Sequence, residues 1–83
     1  MNRDWVGWHL REAAEELSRT IEELGSNPTY DLPEFEVAMQ HLYHHLNTAW
    51  NARSVSQVEL EANSTDNFNR WSEFPADLPI FRA

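Results

Sequence analysis

The stretch that most constrains this chain runs from Asp31 to Arg53, D-L-P-E-F-E-V-A-M-Q-H-L-Y-H-H-L-N-T-A-W-N-A-R. Apolar residues fall at Phe35, Ala38, Met39, Leu42, Leu46 and Ala49, the i, i+3, i+4, i+7 spacing that gathers side chains along one side of an α-helix. Asp31 stands where a residue caps the N-terminus, and Glu34 three positions later gives capping-box spacing. Pro33 falls in the first turn, where a missing N–H breaks no helical bond. Glu34 and Glu36 near the start and Arg53 near the end complement the helix dipole. The expected element is an amphipathic helix over about 32–53, with Tyr43 and Trp50 on one shoulder of its apolar arc.

Such a helix needs a surface to lie against, and residues 3–24 offer one. Val6, Leu10, Ala13, Leu17, Ile21 and Leu24 repeat at helical spacing, with Ala14 beside them and Asn2 or Asp4 available as cap. Gly25 reads as a left-handed C-cap, and Ser26-Asn27-Pro28 as the stop. The connection to Tyr30 is short, so the two helices should form an antiparallel hairpin with the two apolar stripes as its seam. Past Arg53 the pattern weakens. Ser56 to Glu59 has capping-box spacing, and Ser64 or Thr65 can cap a turn carrying Phe68 and Trp71. Short helices are expected at about 57–62 and 65–73. An extended tail over 74–83 should follow, because F-P-A-D-L-P-I-F contains two prolines. Phe74, Leu78, Ile80 and Phe81 make that tail too apolar to hang free.

Composition narrows the class. Eighty-three residues make one domain near the lower limit of unaided folding, and no cysteine is present to staple it or to bind metal as thiolate. A second copy is a common remedy for a core this small. The net charge is −8 and the six cations are arginines scattered from Arg3 to Arg82; phosphate binding needs clustered positive charge, so no nucleic-acid role is expected. No apolar run approaches the roughly 18 residues of a spanning helix, and the N-terminus has no signal-peptide core. The expectation is a soluble cytoplasmic protein without membrane contact. The two glycines are far apart, and neither a nucleophile elbow nor H-E-x-x-H occurs. An enzyme is therefore the less favoured reading, and no cofactor is called for.

Two surface features carry the functional expectations. His41 and His45, at i and i+4, share one flank of the second helix, while Glu12 and Glu16 lie on the corresponding flank of the first. Antiparallel pairing would bring Glu16 between the two imidazoles, a donor set for a divalent zinc, iron or manganese ion, or else a rim of histidine–glutamate hydrogen bonds. The Glu-x-x-His repeat of di-iron bundles is absent. His9, one turn from Glu12, reads as an ion-pair partner, and His44 as a surface histidine or a contact to the tail or a partner. The other feature is surplus aromatic surface: Trp5, Trp8, Tyr43, His44, Trp50, Trp71 and Phe74 exceed what one seam can bury. Gln40, His44, Asn47 and Asn51 form a polar but almost uncharged face, either wet or covered by the tail or a partner.

The sequence thus points to an all-α hairpin with short helices and an apolar tail, completed as a four-helix bundle by homodimerisation. Its expected function is that of a small acidic, non-catalytic interaction or assembly module, acting on itself or on another protein. The alternative is a metal-binding bundle using His41, His45, Glu16 and Glu12. A third is a pH-responsive assembly, since three histidines on one helix charge together in mild acid.

Overall fold

The computed structural model describes residues 1–62 and 64–81. Helix α1 spans Arg3–Ser26, α2 Leu32–Asn51, α3 Gln57–Glu61 and α4 Thr65–Ser72, and no strand occurs among the described residues. The two long helices pack as an antiparallel pair, and α4 lies against α2. No described helix is long and apolar enough to cross a membrane.

Three of the four helices begin on a side-chain cap. Asp31 Oδ1 accepts from the Glu34 N–H at 3.2 Å, Ser56 Oγ from Glu59 at 3.3 Å and Ser64 Oγ from Asn67 at 3.1 Å. Helix α1 departs from the sequence expectation at both ends. Asn2 makes no cap bond; its backbone N–H donates to the Arg53 carbonyl at 2.6 Å, and its Nδ2 donates to the Ala52 and Val55 carbonyls at 2.9 Å. The start of the chain is thereby tied to the end of α2, where helical carbonyls lack partners of their own. At its other end α1 continues through Gly25, and the stop is set by Asn27. That residue's N–H donates to the Glu23 carbonyl at 2.9 Å, while its Oδ1 accepts from the Thr29 N–H at 3.0 Å. This is an Asx turn ahead of Pro28, which makes a left-handed glycine unnecessary.

The seam is not the leucine stripe the sequence suggests. The buried apolar residues are Ala13, Ala38, Ala49, Ala52 and Trp71, joined by His9, Thr20, Asn47 and Thr48. Leu10, Leu17, Ile21 and Leu24 are 47%, 45%, 63% and 59% exposed. At 100° per residue the row His9–Ala13–Thr20 lies roughly 70° around α1 from the leucine row. The hairpin closes along the small residues, which let the two backbones approach closely. It then buries its aromatic side beneath α4, where the Trp71 and Trp5 rings meet edge to face at 5.9 Å. The leucines are left beside the seam, on the side α4 does not cover.

The chain's own C-terminal segment covers the uncharged face of α2 at His44, Asn47 and Asn51, while Gln40 stays exposed. Asn47 Nδ2 donates to the Ser72 carbonyl at 2.9 Å, and Asn51 Nδ2 donates to the carbonyls of Trp71 and Glu73 at 2.8 and 2.7 Å. These amides satisfy the carbonyls that the end of α4 exposes. Replacing Asn51 with alanine should cost about 1 kcal/mol, because the part-buried Trp71 carbonyl and the exposed Glu73 carbonyl both lose their donor; urea denaturation of the variant reads this directly. Beyond α4 the chain is held by Asp77, which accepts from the Trp50 indole N–H at 2.9 Å and lies 3.4 Å from the Arg53 guanidinium. The indole N–H, ahead of Arg53, holds the Asp77 carboxyl below the usual carboxylate range. Arg53 in turn stacks over the Trp50 ring at 3.8 Å. Pro75 is buried, but Phe74, Ile80 and Phe81 remain exposed, so the tail is only partly packed on its own chain. Arg82 and Ala83, the end of the expected tail, lie outside the described residues.

Candidate functional site

The histidines do not group as the sequence suggests. Glu16 does reach His41, with Oε1 at 3.6 Å from Nδ1, but its other oxygen is taken by Arg19 at 2.7 Å. His41 is largely exposed. His45 turns instead toward His9, their Nδ1 atoms 3.0 Å apart. The proposed set of His41, His45, Glu16 and Glu12 is thus divided between two neighbourhoods. Among the described residues, no three His, Asp or Glu side chains form a set that could hold a metal ion as they stand. Nor does His9 pair with Glu12 as a surface residue would; it is one of the most buried residues of the chain.

What His9 joins is an aromatic cluster. A cavity of about 430 Å³ is lined from α1 by Trp5, Trp8 and His9, from α2 by His44, His45 and Thr48, and from the α3–α4 region by Leu60, Ser64, Asn67, Phe68 and Trp71. The indoles of Trp5 and Trp8 stand edge-on to the His9 ring at 4.7 and 4.9 Å, and Phe68 lies against His44 at 4.8 Å. Among the described residues, no carboxylate and no Arg or Lys lines this space. Burial, reinforced by the positive charge His45 and then His44 would carry, pulls the pKa of His9 down to about 4. Burial likewise lowers His44, with His45 and His41 adding to it.

Tautomers follow from the hydrogen bonds. Ser72 Oγ donates its proton to the Phe68 carbonyl at 2.7 Å, an atom that can only accept. At 2.8 Å from His44 Nδ1, the same Oγ must therefore accept from an Nδ1–H. His44 accordingly carries its free lone pair on Nε2. Two further polar atoms at this cavity have no partner: the indole Nε1 of Trp5 and the hydroxyl of Thr48 are buried without a hydrogen bond.

The aromatic residues expected at an interaction surface separate in the same way. Trp71 is buried, Trp5 is half-buried, and His44 is held by Ser72. Trp50 is bound to Asp77, while Trp8, Tyr43 and Phe74 stay at least half exposed. Tyr43, Trp50 and Phe74 belong to a second, almost wholly apolar groove of about 410 Å³ with Val6, Leu10, Leu46, Leu78 and Ile80. This groove continues the open leucine row of α1, and it shares no residue with the histidine cavity. Set against models of protein families, curated proteins and solved structures, the chain matches none.

Proposed function

We propose that this protein is a self-assembling, non-catalytic module whose functional form is a homodimer joined through the leucine side of the hairpin, completing a four-helix bundle. The observation that carries this reading is the division of the side chains: alanines and threonines fill the seam, while Leu10, Leu17, Ile21, Leu24, Leu32, Tyr43, Leu46 and Phe74 stay exposed. Among the described residues no large side chain is fully buried, an arrangement that leaves an 83-residue chain short of a core of its own. The exposed parts of these side chains amount to on the order of 700–800 Å² of apolar surface, about what one partner contributes to a standard interface. A second copy related by a two-fold axis would present the same row to the first, so each leucine stripe would meet its own kind. Helices packed in this way give the left-handed bundle geometry with no further segment required.

Light scattering on untagged protein tests the reading. A mass twice the 9.8 kDa of the chain, with a thermal midpoint that rises with protein concentration, supports it. A mass of one chain at high micromolar concentration overturns it. The reading as a metal-binding bundle through Glu16 and His41 has less support, since Glu16 is already engaged by Arg19.

A further inference from the structure

We infer that the cavity between Trp5, Trp8, His44, Phe68 and Trp71 is a binding site for a small, neutral, planar heteroaromatic molecule that carries both a ring N–H and a carbonyl. Its walls are aromatic from two elements, Trp5 and Trp8 of α1 and Phe68 and Trp71 of α4. Trp5 and Trp71 meet at 5.9 Å with their planes 78° apart. A flat guest stacked on one of them stands edge to face with the other, and these are the two arrangements aromatic pairs favour. The space of about 430 Å³ falls within the roughly 300–1,000 Å³ of small-molecule sites, which pair apolar walls with a few polar groups. Trp8 and Phe68 are 50% and 57% exposed and leave the cavity an open side.

The polar groups set the rest of the ligand. The indole N–H of Trp5 can only donate, and it is buried with no acceptor; the Thr48 hydroxyl beside the same cavity is likewise unpartnered. Buried donors of this kind call for a partner, and a carbonyl on the occupant is one. His44 gives its Nδ1–H to Ser72, so its Nε2 lone pair is left to accept from the occupant's N–H. His9 and His45 are spent on each other through the 3.0 Å bond between their Nδ1 atoms, which takes one proton and keeps both rings neutral. Among the described residues no carboxylate, Arg or Lys lines the cavity, and burial opposes charge on His9 and His44. An ionic ligand would meet no opposite charge here and would lose its water. A neutral ligand has no such cost.

The test uses untagged protein and carbostyril, a neutral bicyclic lactam with one N–H and one carbonyl. Calorimetry should give one molecule per chain, with a dissociation constant on the order of tens of micromolar, ordinary for so small a ligand. N-methylcarbostyril, which keeps the carbonyl and loses the donor, should bind about tenfold more weakly, and the anion quinaldate should not bind. Proton–nitrogen spectra of the unmodified protein should show carbostyril moving the indole resonances of Trp5, Trp8 and Trp71. That of Trp50, whose N–H is held by Asp77, should stay in place. Trp8→Ala removes a half-exposed wall and should weaken binding about fivefold or more, whereas His41→Gln leaves it unchanged. The spectra need no variant, so a misfolded Trp8→Ala leaves the test intact. Carbostyril that moves only Trp50, or that moves no indole at millimolar concentration, overturns the site. So does equal binding of all three probes, which is what a merely apolar surface would give. Because the leucine groove shares no residue with this cavity, the ligand should leave the mass by light scattering unchanged, and a failure of one proposal is separable from a failure of the other.

Discussion

In the dimer proposed above, Leu17→Glu should leave a monomer at concentrations where that proposal has the unmodified chain paired. Leu17 lies in the middle of the open row and is 45% exposed in a single chain, so the substitution removes little from the hairpin itself. In a two-fold dimer each copy would bring one glutamate into the apolar contact, and an unpaired carboxylate there costs several kcal/mol. A loss of about 3 kcal/mol alone is a factor of more than a hundred in the dissociation constant. Ser18→Glu, one position on and exposed on the outer face, adds the same charge and should leave the mass unchanged. Light scattering at matched concentration distinguishes the two variants. If Leu17→Glu also loses helicity, dimerisation and folding are one event, as in obligate dimers. If it keeps the mass of a dimer, the leucine row is not the interface.

Acidification supplies the second large effect. His9 has its pKa lowered to about 4 in the folded chain, against about 6.5 when unfolded. Its folded pKa is the depressed one, and the charged form is the one the fold excludes. Between those two values the unfolded chain binds a proton that the folded chain refuses, so stability falls as pH drops through this window. The loss levels off below about pH 4 and should amount to roughly 3 kcal/mol from His9. His44 shifts in the same direction and adds to it. The groups facing His9 are Trp5 and Trp8 on its own helix, His44 and His45 from α2, and Phe68 and Trp71 from α4. None of these is an acid that would rescue the imidazolium. Urea midpoints measured from pH 7 to pH 4 should decline for the unmodified protein, and His9→Gln should flatten much of that decline. A curve that is flat for the unmodified chain, or equally steep for the variant, contradicts the assignment.

The two effects concern opposite sides of one hairpin, and the sequence indicated them unequally. That α2 begins at an Asp31 cap, that Ser56 and Ser64 start α3 and α4, and that the chain doubles back between Leu24 and Leu32 are set by residues within a few positions of each other. Local hydrogen bonding and period suffice to read such features. The uncharged face of Gln40, His44, Asn47 and Asn51 left wet and covered readings both open, because amides accept desolvation at lower cost than ions without requiring it. Glu16 was placed between His41 and His45 by counting back from the turn, but the same count carried further sets His9 opposite Trp50. Its contact with His45 comes from a shift between the helices that no count along the chain supplies.

The sequence by itself indicated the helical stretches, though not that α1 runs on through Gly25 to Ser26, and that apolar stripes run along both long helices. Only the tertiary structure decided which arc of each helix faces the other. Periodicity reports that a stripe must be covered but not by what, and a row of alanines and threonines permits closer backbone approach than a row of leucines. With Trp71 of α4 on the aromatic side, the hairpin is closed along its small residues. The leucines were left to the open side, and the histidines met across the seam in a pairing set by helix rotation, a property no single stretch of chain encodes.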